Sequence, residues 1–303
     1  MHPEKTMPRT AVVAGATGNV GAATATELAR RGFHVVLLGR NFEKLNDRAQ
    51  SCEAMLRKED ASFSGALLPV AVDLTSLASL EKARDEIQAR FATIDVLILS
   101  AVILTQDGPT ILEDGNEFMF STNVLGQFRL SELLRPAIEA AHGIIAHVVA
   151  PFHRDIDWED LQSIQNHKSM EAYERSKTCH RIMAQEMSRR YGDTFTTFAF
   201  DPGFAINRSD PELRKRWPSG WTGLLWRAYA LVAAKPPSIA GYALADLVSG
   251  SRHHDDLNGA YYRLGVRSKK PGPSMNDPVA GSRLWDALEK LSFPECKNCV
   301  GPN

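Results

Sequence analysis

The chain is poor in cysteine and carries almost no net charge. Its 303 residues have a formal net charge of -1, which gives no reason to expect binding to nucleic acid or to an anionic membrane. The few cysteines show no disulfide pattern and fit a reducing compartment; they are Cys52, Cys179, Cys296 and Cys299. We therefore expect a cytoplasmic globular protein.

Long apolar runs and metal-binding clusters are also missing. A membrane-spanning helix needs about 20 mostly apolar residues, but the most apolar segment, 221–234, is shorter and contains Arg227. The first nine residues are polar, so no signal peptide is visible. Cys296 and Cys299 have zinc-like spacing without a second pair. We expect neither a transmembrane segment nor a metal, although 221–234 could touch a membrane surface.

Short apolar runs alternate with segments of helical periodicity, which is typical of a parallel sheet covered on both faces. The pattern predicts an α/β fold with a Rossmann-like, doubly wound parallel sheet. We expect a single domain over 8–292, followed by a tail at 293–303. The predicted strands are 10–14, 33–38, 67–72, 96–99, 144–149 and 195–200, and the predicted helices are 18–31, about 41–58, 77–91, 117–140 and 169–191.

The alternation is interrupted after the sixth predicted strand. Residues 204–237 are rich in Trp, Pro, Arg and Leu. Ligands of open α/β sheets bind at the carboxyl ends of the strands, so a helical lid over a substrate is the favoured interpretation. The alternative is a helical excursion that packs on the core. Trp217 and Trp221 would line an apolar cavity or anchor the segment.

A glycine-rich turn joins the first strand to the first helix. Its sequence is Gly15-Ala16-Thr17-Gly18-Asn19-Val20-Gly21. Glycines allow a close approach to a pyrophosphate, and the following helix N-terminus offers N–H groups to that anion. The position within a β-α-β unit favours a dinucleotide site over a plain turn.

The end of the second strand indicates which dinucleotide is bound. An NAD site would carry an acidic residue there, but this chain has Arg40, which suits a 2′-phosphate. We favour NADP, the alternative being a solvated arginine paired with Glu43. Asp73, followed by Leu74, would contact the adenine or else begin the turn before Ser76.

Tyr173 and Lys177 are one helical turn apart and share a helix face. A nearby ammonium favours the phenolate, so we expect Lys177 to lower the pKa of Tyr173. Such a phenol would exchange a proton with a carbonyl or an alcohol near neutrality.

Together these motifs resemble the short-chain dehydrogenase/reductase superfamily, and within it the branch of retinol dehydrogenases, WW-domain oxidoreductases and protochlorophyllide reductases. The similarity covers about residues 10 to 292. It is carried by Tyr173-Glu174-Arg175-Ser176-Lys177, Asn123-Val124-Leu125-Gly126, the run 153–161, Asp201-Pro202-Gly203, 259–262 and 283–285.

The resemblance implies a catalytic set of Asn123, Tyr173 and Lys177. Asn123 would hold a relay water, Lys177 would also bind the nicotinamide ribose, and Tyr173 would pass the proton. The implied cofactor contacts are Gly15, Thr17, Gly18, Asn19, Val20, Gly21, Arg40, Asp73, Leu74, Ser100, Ala101, Asn123, Tyr173, Lys177, Pro202 and Gly203. The implied substrate pocket is Ala150, Phe152, His153, Phe204, Trp217 and Trp221. Relatives suggest a homodimer or homotetramer.

The chain departs from the family pattern at three places. The glycine spacing of the first loop, G-x-x-G-x-x-G over 15–21, resembles the extended and atypical members of the superfamily more than the branch named above. Ala150 stands at the usual catalytic serine, and losing one such donor costs about 100- to 1,000-fold in rate. Val102 replaces a glycine near the cofactor ribose. His153, His147 and His180 are candidate replacements for the serine. We expect His153 to be an ordinary feature of the branch, His147 to be a packed or edge residue of its strand, and His180 to be a satisfied surface residue.

We expect an NADP-dependent reductase that interconverts a carbonyl and an alcohol on an apolar, polycyclic or polyene-like molecule, such as a secondary metabolite. The missing serine leaves two alternatives: a non-redox isomerisation, dehydration or cyclisation, and a cofactor-sensing protein without turnover.

Overall fold

A computed structural model of the protein describes residues 8–105, 108–151, 153–205, 234–250, 254–268 and 277–292. Eight strands form one sheet in the order β3-β2-β1-β4-β5-β6-β7-β8, parallel except for the last pair. The chain thus winds outward in two directions from β1 and β4, which confirms the Rossmann-like α/β fold. The strands are β1 Thr10–Ala14, β2 His34–Gly39, β3 Ala66–Ala71, β4 Val96–Leu99, β5 Ile144–Val148, β6 Thr196–Asp201, β7 Tyr261–Arg263 and β8 Val266–Arg267.

Helices cover both faces of this sheet. They are α1 Asn19–Arg30, α2 Phe42–Glu59, α3 Leu77–Gln88, α4 Phe118–Phe120, α5 Gly126–Ala140, α6 Ser169–Tyr191, α7 Pro237–Ser249, α8 His254–Leu257 and α9 Pro278–Ser292, with a π-helical segment at Ser121–Leu125 between α4 and α5. None of the described helices combines the length and the apolar character that crossing a bilayer requires.

An apolar core lies on each face of the sheet, because successive side chains of a strand point to opposite faces. In β1, Val12 and Ala14 pack with α3, α5, α6 and α9, whereas Ala11 and Val13 pack with α1, α2 and α7. Every residue of β1 is therefore buried, and an uninterrupted apolar run is what a doubly covered strand needs.

Strands β1 to β6 agree with the sequence prediction within two residues at each end. The prediction missed β7 and β8, which are three and two residues long and follow β6 in the sheet. The predicted segment 204–237 lies mostly outside the described residues. Its described ends meet, because the Lys235 N–H donates to the Phe204 carbonyl at 2.9 Å and Ala205 pairs with Lys235.

Candidate active site

The glycine-rich turn brings the N-terminus of α1 to the carboxyl end of the sheet. Gly15 has a φ of +80°, and a Cβ there would lie 2.6 Å from the Ala101 Cα. A Cβ on Gly21 would overlap the Gly15 carbonyl oxygen. Both positions require glycine. Gly18 is the N-cap and has no side chain to cap the helix, so the N–H groups of the first turn can face an anion.

A cleft opens beside this turn, at the carboxyl ends of β1 and β4. Its cavity volume is about 160 Å³. Half of the predicted cofactor residues line it, namely Gly15, Thr17, Gly18, Arg40, Asp73, Leu74, Ser100 and Ala101. The lining also includes residues that the sequence reasoning missed: Ala14, Leu38, Gly39, Val72, Ile103 and Thr122. All of them except Thr122, which lies in the π-helical segment, stand at or shortly after the carboxyl ends of neighbouring strands, and that position is the signal that could have found them.

Two charged residues, Arg40 and Asp73, line the cleft. Arg40 is exposed at the edge of the cleft. Asp73 lines the cleft and also accepts from the Thr75 N–H at 3.0 Å and the Thr75 hydroxyl at 2.8 Å, while Ser76 caps α3. The turn interpretation of Asp73 is therefore confirmed, and its adenine contact stays a prediction.

The replacement of the family glycine by Val102 is accommodated without closing the cleft. Val102 lines the cavity, and its side chain is exposed. Asn123 holds the neighbouring loop, because its Oδ1 accepts from the Ile103 N–H at 2.8 Å and its Nδ2 donates to the Ile103 carbonyl at 2.9 Å.

The remaining predicted cofactor residues lie outside this lining. Asn19, Val20 and Gly21 form the first turn of α1, and Asn123 lies in the π-helical segment. Tyr173 and Lys177 lie on α6, and Pro202 and Gly203 follow β6.

Lys177 is buried beneath Tyr173. The Lys177 Nζ donates to the Val148 carbonyl at 3.0 Å and lies 6.0 Å from the centroid of the Tyr173 ring. Only 3% of Lys177 is exposed, and this burial lowers its pKa to about 8.

The expected lowering of the pKa of Tyr173 is wrong for this structure. The pKa of the half-buried phenol is raised to about 12, chiefly by burial and further by the negative charges of Asp201 and Glu174. The Lys177 ammonium is directed at a backbone carbonyl, so it does not offset these effects.

Asn123 has protein partners for its backbone carbonyl as well as for its side chain. The carbonyl accepts from the Gln127 Nε2 at 2.8 Å and from the His180 Nε2. A relay water would have to compete with these two donors for the carbonyl. The relay role of Asn123 stays a prediction.

His180 and His147 are both completely buried, at 0% exposure. The expectation of a surface position for His180 was therefore wrong, whereas His147 is a packed strand residue as predicted. The two rings lie edge to face with centroids 5.6 Å apart. Burial lowers the pKa of His147 to about 3 and that of His180 well below its ordinary value, so both are neutral.

Asp201 is a buried charge whose importance the sequence reasoning missed. It accepts from the Gly203 N–H at 2.8 Å and from the Tyr261 hydroxyl at 2.9 Å. Gly203 has a φ of +65°, so this bond holds a turn that favours glycine. The acidic residue before Pro202 was the available signal.

The predicted substrate residues are only partly described. Ala150 is buried at the end of β5, and its methyl group cannot donate a hydrogen bond. His153 Nε2 lies 3.1 Å from the Asp155 Oδ1, and Phe204 is half-buried. Phe152, Trp217 and Trp221 lie outside the described residues.

The comparisons with known sequences agree with this arrangement. The family model for short chain dehydrogenases matches residues 9–204. Retinol dehydrogenase 13 from Mus musculus is 28% identical over 93% of this chain and 83% of its own length. The WW domain-containing oxidoreductase of Danio rerio is 27% identical over 96% of this chain and 70% of its own length.

A solved structure shows the same fold at lower identity. The L-sorbose reductase of Gluconobacter frateurii, solved in complex with NADPH and L-sorbose, has a TM-score of 0.64. It is 20% identical, and the match covers 87% of this chain and 98% of that one.

Proposed function

This chain belongs to the short-chain dehydrogenase family of oxidoreductases, on its retinol dehydrogenase and WW-domain oxidoreductase branch, and from that premise we propose that it is an NADP-dependent reductase of apolar carbonyl compounds. One observation carries the proposal. A tyrosine phenol lies over a buried lysine on α6, in a fold whose cleft is lined by the glycine-rich turn and Arg40.

The raised pKa of Tyr173 supports the reductive direction. A phenol with a pKa of about 12 stays protonated at neutral pH and can donate its proton to a carbonyl oxygen as negative charge develops there. Lys177 would hold the ribose hydroxyls and stabilise the resulting phenolate. A bound nicotinamide supplies the hydride. Asn123 keeps the loop 100–105 in place through Ile103.

NADP rather than NAD is proposed because of Arg40. Its guanidinium is exposed at the edge of the cleft, where a 2′-phosphate could accept two parallel hydrogen bonds. Thr17, Gly18 and the first turn of α1, Asn19 to Gly21, would hold the pyrophosphate. Pro202 and Gly203 would abut the nicotinamide.

An apolar substrate is proposed from the relatives and from the exposed residues near the cleft. Retinol dehydrogenase 13 is named for a polyene alcohol. Val102 lines the cavity and is exposed, and Leu104, two residues further along the same loop, is exposed as well. We also propose that 8–292 is one domain with a lid at about 204–237, and that the protein is a cytoplasmic homodimer or homotetramer.

A second function is favoured by Ala150. Without the serine donor, Tyr173 would run a proton-transfer step such as isomerisation, dehydration or cyclisation, with no net consumption of the cofactor.

Absorbance at the reduced-nicotinamide band tests these functions in the purified full chain. NADPH would be mixed with retinal and with bicyclic ketones, and products would be followed by chromatography. The proposal predicts equal losses of NADPH and of the carbonyl substrate. Tyr173→Phe should abolish both losses, whereas Tyr242→Phe, which changes an exposed tyrosine on α7, should not. Product formation without NADPH loss would favour the second function, and binding without any product would favour a cofactor sensor.

A further inference from the structure

The Asn123 carbonyl lies in a π-helical segment, where the backbone hydrogen-bond pattern changes. The Gly126 N–H donates to the Ser121 carbonyl, five residues back. The Asn123 carbonyl accepts from two side chains, the Gln127 Nε2 and the His180 Nε2. Both donors are completely buried, so this acceptor is satisfied without solvent.

The hydrogen-bond partners fix the tautomer of His180. The Gln127 amide uses its two N–H groups on the Ala101 and Asn123 carbonyls, both at 2.8 Å. It has no third hydrogen for the His180 Nε2, 3.2 Å away. The His180 Nε2 must therefore carry the hydrogen that it donates to the Asn123 carbonyl.

His180 is also a neighbour of the buried Lys177 on the same helix. The two residues lie three apart on α6 and so share a helix face. His147 packs edge to face on His180 from β5, and the next residue, Val148, accepts from the Lys177 Nζ. The groups that face His180 are thus Lys177 from its own helix, His147 from β5, and the uncharged Asn123 and Gln127 from the π-helical segment and α5.

We infer that His180 is a positioning residue: its Nε2–H occupies the Asn123 carbonyl in place of a relay water and keeps Lys177 in a dry site. A role of His180 in catalysis rests on the proposed reductase function. The exclusion of water by the histidine donor does not, and it can be measured without substrate.

Among the described residues, several buried polar atoms around His180 are unpaired. Within the described part of the chain, the His180 Nδ1, both ring nitrogens of His147 and the Gln127 Oε1 have no hydrogen-bond partner. Unpaired buried polar atoms reduce stability, so an apolar residue at position 180 would pack at lower cost. The donor at Nε2 is what the histidine adds.

The direct experiment is an NMR titration of Lys177 in the full chain. The ¹³Cε resonance of Lys177 is assigned by its loss in Lys177→Met, and its midpoint is expected near pH 8. In His180→Ala, water should reach the Asn123 carbonyl and Lys177, and the midpoint should rise by about one pH unit because the charged amine regains hydration. His180→Asn restores an N–H donor and should return the midpoint to the wild-type value.

His142→Asn is the matched control. His142 is a partly exposed histidine with a φ of 48°, a conformation that asparagine tolerates, and its substitution should leave the Lys177 midpoint unchanged. An unchanged midpoint in His180→Ala, or equal shifts in His180→Ala and His180→Asn, would overturn the inference. Because the titration needs neither NADPH nor turnover, absence of reductase activity would count against the proposed function alone.

Discussion

At position 173 the protein holds a neutral phenol, and at position 177 it buries an amine. Both departures from ordinary pKa values begin with burial. Burial disfavours the charged form, so it raises the pKa of a phenol and lowers that of an amine. The pair is therefore arranged to give a proton from Tyr173 rather than to take one at neutral pH.

Burying Lys177 costs stability, and the cost depends on pH. Its pKa is about 8 in the folded protein against 10.5 for an ordinary lysine, a difference worth on the order of 3 kcal/mol. Below pH 8 both states hold the proton and the full cost is present. Between pH 8 and 10.5 the unfolded state binds more protons, so stability rises with pH, and above that range the cost is gone.

Lys177→Met should therefore stabilise the protein at pH 7 while abolishing its function. Its advantage over wild type in free energy of unfolding, measured with urea, should shrink between pH 8 and 10.5. The difference between the free energies of unfolding of the variant and the wild type removes the contributions of the other groups that titrate in this pH range, because both proteins contain them. A constant advantage across that range, or a loss of stability at pH 7, would show that the amine is not buried as described.

Because Ala150 cannot donate a hydrogen bond, we expect the protein to reduce ketones more slowly than a relative with serine at this position. Ala150→Ser adds a hydroxyl donor at the end of β5, and the rate of ketone reduction should rise by about 100-fold. Ala150→Gly changes the size of the side chain without adding a donor and should show no gain. Rates would be read as NADPH loss. A fall with serine would indicate that the site binds a substrate oriented differently from that of a family reductase.

The identities of Tyr173, Lys177, Arg40 and the glycine turn could be predicted because local spacing carries them. The burial of these residues and the charges around them could not be predicted from the sequence. The pKa of Tyr173 depends on Asp201, and the burial of His180 depends on Asn123 and β5, all far away in sequence.

Among the elements, α6 connects Tyr173 and Lys177 to the core. Its bounds, 169–191, match the prediction because its apolar spacing is uninterrupted by glycine or proline. The π-helical segment 121–125 was missed, since its five residues are all buried and show no spacing that distinguishes π from α. Strands β7 and β8 are too short for a two-residue repeat to stand out.

Trp285 on α9 supports both helices of the site. Its ring lies 4.9 Å from that of Phe128 on α5 and 5.8 Å from that of Tyr191 on α6, between centroids. Trp285→Ala should cost about 3–5 kcal/mol in the free energy of unfolding, because it leaves a cavity between these helices. Urea denaturation would measure the loss.

Val279→Ala provides the control on the same helix. Val279 is 74% exposed, so its truncation should change stability by less than about 0.5 kcal/mol. Equal effects of the two substitutions would mean that α9 does not pack against the site through Trp285.

At the scale of the molecule, the strand order places the cleft. The sheet reverses direction of winding between β1 and β4, and ligands of open α/β sheets bind at such a point. This much follows from the alternation of strands and helices in the sequence. The part of the site that would enclose a substrate falls mainly on 206–233, outside the described residues, so the lid stays a prediction.

NADPH should stabilise the whole fold more than NADH. A ligand at 100 times its Kd adds about 2.7 kcal/mol, enough to raise Tm by several degrees. In differential scanning calorimetry at equal concentrations, NADPH should give the larger shift, and Arg40→Ala should remove the difference. Arg48→Ala, at an exposed position on α2, is the control and should preserve it. A preference that survives Arg40→Ala would locate the 2′-phosphate contact elsewhere.

The central claim is tested most directly by a crystal structure of the full chain grown with NADP⁺. The account predicts the pyrophosphate at the glycine-rich turn, the Tyr173 hydroxyl beside C4 of the nicotinamide, and the Lys177 amine at the adjoining ribose. A nucleotide bound in that cleft with Tyr173 directed away from the nicotinamide ring, or a cleft filled by protein side chains, would contradict it.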